Sequence, residues 1–409
     1  MEVEHEDIKP ATEIAVLRRD FSDSELSQEF DLELVAALVG MSSTFAKKVL
    51  SIRGRRVSLR DTLLLLDQDS FHETFVPRSR IPDFLLRSAG EDTAAPEIDL
   101  ANEHTLLQGN TLDLIKRVPS DSVRCVVTSS PYWAMRIYDT HFQVQWADGE
   151  SCPYGHEQTP EGFIRHTVEI LYLLKRTMRT DGSVWWNLMD TYNTRTQIRS
   201  NASETLRAMR GLDERGWKDY TCRRYSAGHS YLQDGEQCLI PNRVAARASR
   251  IGYWVKSQVS WKKEGSLPET VTTRVTREVE YILHLSLQRS PYFNKDAFRD
   301  LEPKLGGRNT QYEFDKVTDV WCLPTASGKD GHGAQFPLAL PGRCIGLTTE
   351  PGDMVLDPFV GSGTTSVAAR QLGRRSIGFD IDESYLETAK KRLSNGFQPG
   401  LLGLTAPPA

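Results

Sequence analysis

The sequence predicts an α/β protein built on a doubly wound, mostly parallel sheet, with a small helical domain in front of it. Three observations carry this. From about residue 101, short apolar runs rich in β-branched residues alternate with segments of helical periodicity. Two of those runs end in turns made of Ser-Ser-Pro or of closely spaced glycines. Residues 21–88 instead carry apolar side chains at helical spacing. The 409 residues exceed one average domain of roughly 100–200 residues, so a main domain plus a smaller one is expected. The expected boundaries are a disordered start (1–20), a helical domain with linker (21–100), the main domain (101–395) and a flexible tail (396–409).

In the first domain Phe30, Leu34 and Leu38, then Phe45, Val49 and Ile52, fall near helical spacing. Between them Gly40 is suited to end one helix, and Ser42 or Ser43 to cap the next. The outline is a helix-turn-helix whose second helix carries Lys47 and Lys48. Ser88–Pro96 reads as a linker. In the main domain Val123–Thr128 (VRCVVT) reads as a buried strand, Glu161–Met178 as a helix and VWWNL at 184–188 as another strand. Residues 191–238 are rich in Arg, Ser and Tyr and interrupt the alternation as an insertion. A helix over Asn242–Ile251, strands near Val255–Trp261 and Glu280–Leu285, and a last strand-helix-strand unit within Met354–Leu393 complete the domain.

Composition narrows the function classes. With 39% hydrophobic and 26% charged residues the chain is ordinary for a globular protein, and no apolar run nears the roughly 20 residues of a membrane span. The acidic start MEVEHEDIKP lacks the pattern of a secretory signal, so a cytoplasmic location is expected. The six cysteines are scattered with no Cys-x-x-Cys pair, which predicts reduced thiols and no metal. The one set with ligand chemistry is Cys152 with His156, Cys222 and His229, a pairing that no spacing rule singles out. A net charge of -5 excludes a uniformly basic coat, so phosphate contacts must come from local patches. One such patch is Lys47, Lys48, Arg53, Arg55, Arg56 and Arg60, with no acid between Ser42 and Arg60. Any such run also serves as an ordinary solvated face.

Two segments carry chemistry. MVLDPFVGSGTTSVAARQLGRRSIGFDID, from Met354, delivers Asp357 to the end of a strand. Gly361 and Gly363 then allow a tight turn, and Thr364 is placed to cap the next helix. A second strand, Ser376–Phe379, ends in Asp380, where an acid can accept both hydroxyls of a ribose. A dinucleotide oxidoreductase shares this much. TSSPYW at 128–133 ends another strand, and a turn of this kind offers a hydroxyl, a main-chain carbonyl and an aromatic ring. Those groups suit an exocyclic amine on an unstacked base: two acceptors for the amino hydrogens and a face for stacking.

Together the two segments resemble the amino-methyltransferases of DNA, in which a Ser/Asp-Pro-Pro-aromatic tetrad pairs with an Asp-Pro-Phe-x-Gly-x-Gly loop. The order here, tetrad first and cofactor loop last, is that of the permuted beta class. GNTLDLI at 109–115, LIPNRVAARASRIGYWVKSQVSWKKEGSLPE from 239, REVEYILHLS from 277 and HGAQFPLALPGRCI at 332–345 match further family segments. The resemblance implies a Rossmann-like methyltransferase sheet, mostly parallel with an antiparallel edge strand. It implies S-adenosylmethionine as cofactor, held by Asp357, Phe359, Gly361, Ser362, Gly363 and Thr364. Asp380 would take its ribose, Phe336 and Pro337 its methionine end, and Asn110 its adenine side. Ser129, Ser130, Pro131 and Tyr132 would form the catalytic tetrad, with serine at 130 where the family has proline. Trp261 and Lys262 would lie toward the flipped base, although a Trp at that position also suits a core. Serine at the first tetrad position goes with N4 of cytosine in this family, and aspartate with N6 of adenine, which stays open as the alternative.

The implied partner is double-stranded DNA, with a cognate restriction endonuclease acting on the same site and a monomeric or homodimeric enzyme. Surfaces for DNA are expected on the insertion, through Arg195, Arg199, Arg223 and Arg224, and on the helical domain, through Lys47 and Lys48. Methylation of RNA or of a glutamine side chain, and a non-catalytic DNA-binding fold, are the rival readings.

Overall fold

The computed structural model describes residues 20–89, 96–133, 143–157, 159–193, 196–197, 223–224, 232–233, 235–264, 272–324 and 336–395. The N-terminal domain holds helices Asp23–Leu26 (α1), Leu32–Leu38 (α2), Ser43–Leu50 (α3), Leu59–Leu66 (α4) and Ile81–Ser88 (α5). It also holds a two-stranded antiparallel pair, Glu29–Asp31 (β1) with Arg56–Ser58 (β2), which helical periodicity does not reveal. Between α2 and α3, Gly40 has φ 68°, and the Ser42 hydroxyl accepts from Phe45 N at 3.2 Å as the cap of α3.

The main sheet is built from runs whose side chains are buried on both faces, as a parallel sheet covered by helices requires. Val123–Ser129 (β4) is such a run, buried throughout except at its last residue. Five strands run parallel: Met178–Leu188 (β5), β4, Met354–Asp357 (β11), Arg375–Asp380 (β12) and His104–Gln108 (β3), in that spatial order. Beyond β5 the sheet continues through Val279–Ser286 (β9), Trp254–Glu264 (β8) and Val320–Pro324 (β10). Of the eight, β9 alone runs antiparallel to its neighbours. The antiparallel strand thus lies toward one margin, and β8 and β10 carry the sheet two strands past it.

This topology positions the site. The carboxyl ends of β3, β4, β5, β8, β11 and β12 lie along one rim of the sheet, and β9, running the other way, brings its first residues to the same rim. Thr111–Arg117 (α6) follows β3. The helix expected over Glu161–Met178 spans Pro160–Thr177 (α7), and that over Asn242–Ile251 spans Ile240–Arg250 (α8). Ala297–Asp300 (α9) and Ala339–Thr348 (α10) come next, and the last unit contains Thr364–Gln371 (α11) and Glu383–Asn395 (α12).

The N-terminal domain shares its core with the sheet domain. Phe75 is buried and stacks on Tyr172 of α7 at 5.1 Å, and Arg247 of α8 donates to the Thr74 carbonyl at 2.9 Å. Most of the insertion at 191–238, with Arg195 and Arg199, lies outside the described residues, as do 1–19 and the tail from 396. Arg223–Arg224 (β7) pair antiparallel with Thr196–Gln197 (β6). The base of the insertion is closed. Asp190 accepts from Leu239 N and Ile240 N, and Asn193 Nδ2 donates to the Leu232 and Gln233 carbonyls. Among the described residues no helix is long and apolar enough to cross a membrane.

Candidate functional site

The two chemistry-bearing turns leave adjacent parallel strands. β4 pairs with β11 through Val355↔Cys125 and Leu356↔Val126, so Asp357 and Thr128 end side by side. Asp357 ties the turns together: it accepts from Thr128 Oγ1 at 2.7 Å, from Phe359 N at 3.0 Å and from Thr365 Oγ1 at 2.5 Å. At 1% exposure its carboxyl lies beneath the loop, not on its open side. Burial pushes it up to about 6, against the pull of those three donors.

The loop after β11 has the geometry a bulky ligand needs. Gly361 has φ 50°, and a Cβ built there would meet nothing within 4 Å, so the backbone faces open space. Gly363, φ 83°, is the N-cap of α11, and a Cβ there would come 2.7 Å from Ala389 Cβ of α12. This corrects the role expected of Thr364. It is the first helical residue and makes no capping bond; its hydroxyl accepts from Arg392 Nη1 at 3.1 Å. Ser362 turns the same way, its hydroxyl accepting from Arg392 at 2.9 Å. Both therefore fasten the back of the loop to α12. Asp380 accepts from Gly361 N at 3.0 Å and from Asp382 N at 2.8 Å. Burial raises its carboxyl to about 6, the two backbone donors working against the rise. Asn110, at the end of neighbouring β3, caps α6 by accepting from Leu112 N at 3.1 Å. Phe336 is half-buried against the core, and Pro337 is buried just before α10.

The tetrad sits one strand away. Ser129 Oγ lies 3.2 Å from the Tyr132 hydroxyl, which in turn donates to Glu280 Oε2 at 2.5 Å. Asn187 Nδ2 donates to Glu280 Oε2 at 2.6 Å, to Tyr132 at 2.8 Å and to Ser129 at 3.3 Å. Lys263 Nζ holds the other oxygen of Glu280 at 2.9 Å. Glu280 and Asn187 are 6% and 1% exposed, and Asn187 Oδ1 is buried with no partner among the described residues. Ser130 occupies the expected proline position with its hydroxyl turned inward, accepting from Trp186 Nε1 at 3.0 Å and lying 3.4 Å from the Tyr154 hydroxyl. Tyr154 stacks on Phe359 at 5.1 Å, joining the tetrad turn to the glycine loop. Pro131 packs against Gly155, so the 143–157 segment backs both turns.

Sequence reasoning missed Asn187, Glu280 and Lys263, although VWWNL and REVEYILHLS both stand out in the chain. The usable signal is a polar residue at the rim end of each strand. Trp261 is a core residue, 3% exposed, its indole donating to the Leu323 carbonyl. Lys262 is exposed, and its neighbour Lys263 faces Glu280. Cys125 is fully buried, and burial pushes its thiol up to about 12, which suits a core residue and no nucleophile. Glu150, Cys152 and His166 bring potential ligand atoms within 4.8 Å of one another. His156 is not among them, and Cys222 and His229 lie outside the described residues. Burial opposes a charge on His166, yet bonds to Asp148 and Glu157 overcome it and raise the imidazole to about 9. Asp148, His166 and Glu157 thus form a buried, hydrogen-bonded ion pair.

A glycine loop of nucleotide-binding type beside a polar, aromatic-lined turn at one rim of a doubly wound sheet defines an α/β group-transfer enzyme. The chain belongs to the DNA methylase family, whose N6_N4_Mtase model matches residues 123–391. It is 32% identical to the Type II methyltransferase M.Cfr9I of Citrobacter freundii over 297 residues, 71% of this chain and 88% of that protein. Among solved structures it is similar to the PvuII DNA methyltransferase (cytosine-N4-specific), with 16% identity and a TM-score of 0.49, covering 73% of this chain and 90% of that one. It is also similar to a Thermus thermophilus protein solved in complex with S-adenosyl-L-methionine, with 21% identity and a TM-score of 0.45, covering 74% of this chain and 100% of that one.

Proposed function

We propose that this protein transfers a methyl group from S-adenosylmethionine to the N4 amino group of cytosine in double-stranded DNA, as the modifying partner of a restriction nuclease for the same site. The observation that carries the reading is the placement of Ser129 and Tyr132 one strand from the Gly361 loop, with Tyr154 and Asp357 joining the two turns.

The residues present fit the cofactor. The Gly361 backbone offers a cradle that a side chain would fill, and Asp380 supplies a carboxyl beside it for two ribose hydroxyls. When bound, S-adenosylmethionine supplies a methyl group already activated as a sulfonium, so the protein's task is alignment and polarisation of the amine. The target amine is out of reach in a stacked, paired base, and the base must swing out of the duplex into the site. The Tyr132 ring then supports the base, its orientation fixed by the hydroxyl's bonds to Glu280 and Asn187. Ser129 Oγ and the Ser130 carbonyl accept the two amino hydrogens, drawing the nitrogen lone pair out of conjugation toward the methyl group.

Serine at 129 supports cytosine over adenine, the family using aspartate there for adenine N6. The test is to sequence plasmid DNA from cells expressing the protein by a method that separates N4-methylcytosine from N6-methyladenine. N4-methylcytosine within one short sequence is the expected result. N6-methyladenine would overturn the choice of base, and unmodified DNA would overturn the activity.

A further inference from the structure

We propose that Glu280, held by Lys263, is the terminal acceptor of the proton that the target amine must lose on methylation, reached through Ser129 and Tyr132. The inference rests on the methyl-transfer reading above and follows from the direction of the hydrogen bonds.

Asn187 Nδ2 and Lys263 Nζ can only donate, and both are spent on Glu280, at 2.6 and 2.9 Å. Glu280 therefore accepts, and the Tyr132 hydroxyl, 2.5 Å away, must give it its only hydrogen. Tyr132 then has only lone pairs left. One takes the second Asn187 hydrogen at 2.8 Å, and the other takes the hydrogen of Ser129 at 3.2 Å. Ser129 is left with lone pairs, one of them available to the amine. Asn187 Nδ2 also lies 3.3 Å from Ser129 Oγ, against its other lone pair, and the hydroxyl hydrogens of Ser129 and Tyr132 both point toward Glu280. A chain so polarised passes a proton in one direction with no side chain having to turn first.

The step balances. As the nitrogen–carbon bond forms and the sulfur–carbon bond breaks, the positive charge passes from sulfur to the amine. The amine's N–H bond then breaks, its electron pair staying on nitrogen. That proton goes to Ser129, the proton of Ser129 to Tyr132, and that of Tyr132 to Glu280, which becomes a neutral acid. The side chain of Lys263 is 20% exposed and that of Glu280 8%, so the proton leaves to water on the lysine side.

The experiment measures single-turnover methyl transfer on a duplex carrying the sequence found above, together with the dissociation constants of cofactor and duplex and the melting temperature. Glu280→Gln keeps an acceptor for Tyr132 but removes the base. It is expected to slow the step by about 100-fold, the usual scale of a lost general base, with both dissociation constants unchanged. Tyr132→Phe breaks the chain at its middle and should lose a comparable factor even if Glu280→Gln folds poorly. Added formate should restore rate to Glu280→Ala and not to Tyr132→Phe, a distinction a merely structural role would not produce. Wild-type rate in Glu280→Gln or in Tyr132→Phe, or a loss in Glu280→Gln explained entirely by weaker duplex or cofactor binding, overturns the relay while methyl transfer stands. A wild-type protein that modifies no DNA overturns the reading beneath it.

Discussion

Ser130 stands where the resemblance expects a proline, and its surroundings explain how the turn keeps its shape without one. The hydroxyl is the acceptor for the buried Trp186 indole, which has its hydrogen bond nowhere else among the described residues. Ser130→Pro would restore the family pattern yet strand that donor, at a cost of about 1–3 kcal/mol. Denaturant melts should show this loss, and Trp186→Phe in the same chain should recover part of it, giving a non-additive double-mutant cycle. Full additivity would show that the indole bond does not hold the turn. Asp380 makes the protein pH-sensitive. Its carboxyl and that of Asp357 both stand near 6 through burial, well above the ordinary aspartate value near 3.8. An upward shift means the folded protein holds these protons more tightly than the unfolded chain. The share of stability due to the two acids therefore falls as pH rises from about 4 to 6. Cofactor binding runs the other way, because two ribose hydroxyls can both donate only to the carboxylate. At pH 5 about a tenth of Asp380 is ionised, so titration calorimetry should find the cofactor bound about tenfold more weakly than at pH 7. Asp380→Asn should bind weakly and flatten that dependence. A wild-type affinity that does not change across this range would remove Asp380 from the cofactor's contacts.

The glycine loop separates two roles that look alike in the sequence. Gly361 and Gly363 both have positive φ, so alanine at either costs about 1–2 kcal/mol of backbone strain. Only Gly363 adds a steric conflict, with Ala389 of α12, so Gly363→Ala should melt lower than Gly361→Ala. Gly361→Ala should fold and fail chiefly in cofactor affinity, its methyl group standing in open space above the loop. The opposite order, with Gly361→Ala the less stable of the two, would reverse the assignment. The strands and helices around this loop are legible in the sequence because period and burial agree. β4 reads as Val123–Thr128 and ends one residue later, since six consecutive buried positions admit little else. The Glu280 cluster is not legible. Adjacent residues of a strand point to opposite faces, so of Lys262 and Lys263 only one can meet Glu280, and the β8–β9 register decides which. That register depends on pairing across a connection partly outside the described residues, and no local pattern encodes it. Thr364 misleads for a related reason. Thr is a common cap, but Gly363 already occupies the capping position and Arg392, from 28 residues along, claims the threonine hydroxyl.

At the scale of the whole molecule, a chain of net charge -5 has to bind a polyanion through local patches. The N-terminal domain offers one. Of the six basic residues between Ser42 and Arg60, Arg56 and Arg60 lie near Glu29 and Asp23, while Lys47, Lys48, Arg53 and Arg55 have no acidic partner among the described residues. Lys48 is exposed and Lys47 half-buried on α3, and Arg53 and Arg55, exposed, follow just beyond its end. The sequence places a second basic pair, Arg223 and Arg224, in the insertion. Removing one cation from a phosphate should lower the slope of log affinity against log salt by about 0.9. If both lysines touch phosphate, Lys47→Ala/Lys48→Ala flattens that slope by about 2, and Arg223→Ala/Arg224→Ala does the same independently, with cofactor affinity untouched in both. The measurement is duplex binding over a range of salt concentrations, on the modified sequence and on an unrelated one. A lysine pair that only touches phosphate lowers both affinities alike, whereas one that reads base edges lowers the first more and shrinks the ratio between them. An unchanged slope in the lysine variant would leave the N-terminal domain as a buttress for α7 and α8, where Phe75 and Thr74 already bind it, and would return DNA recognition to the insertion alone.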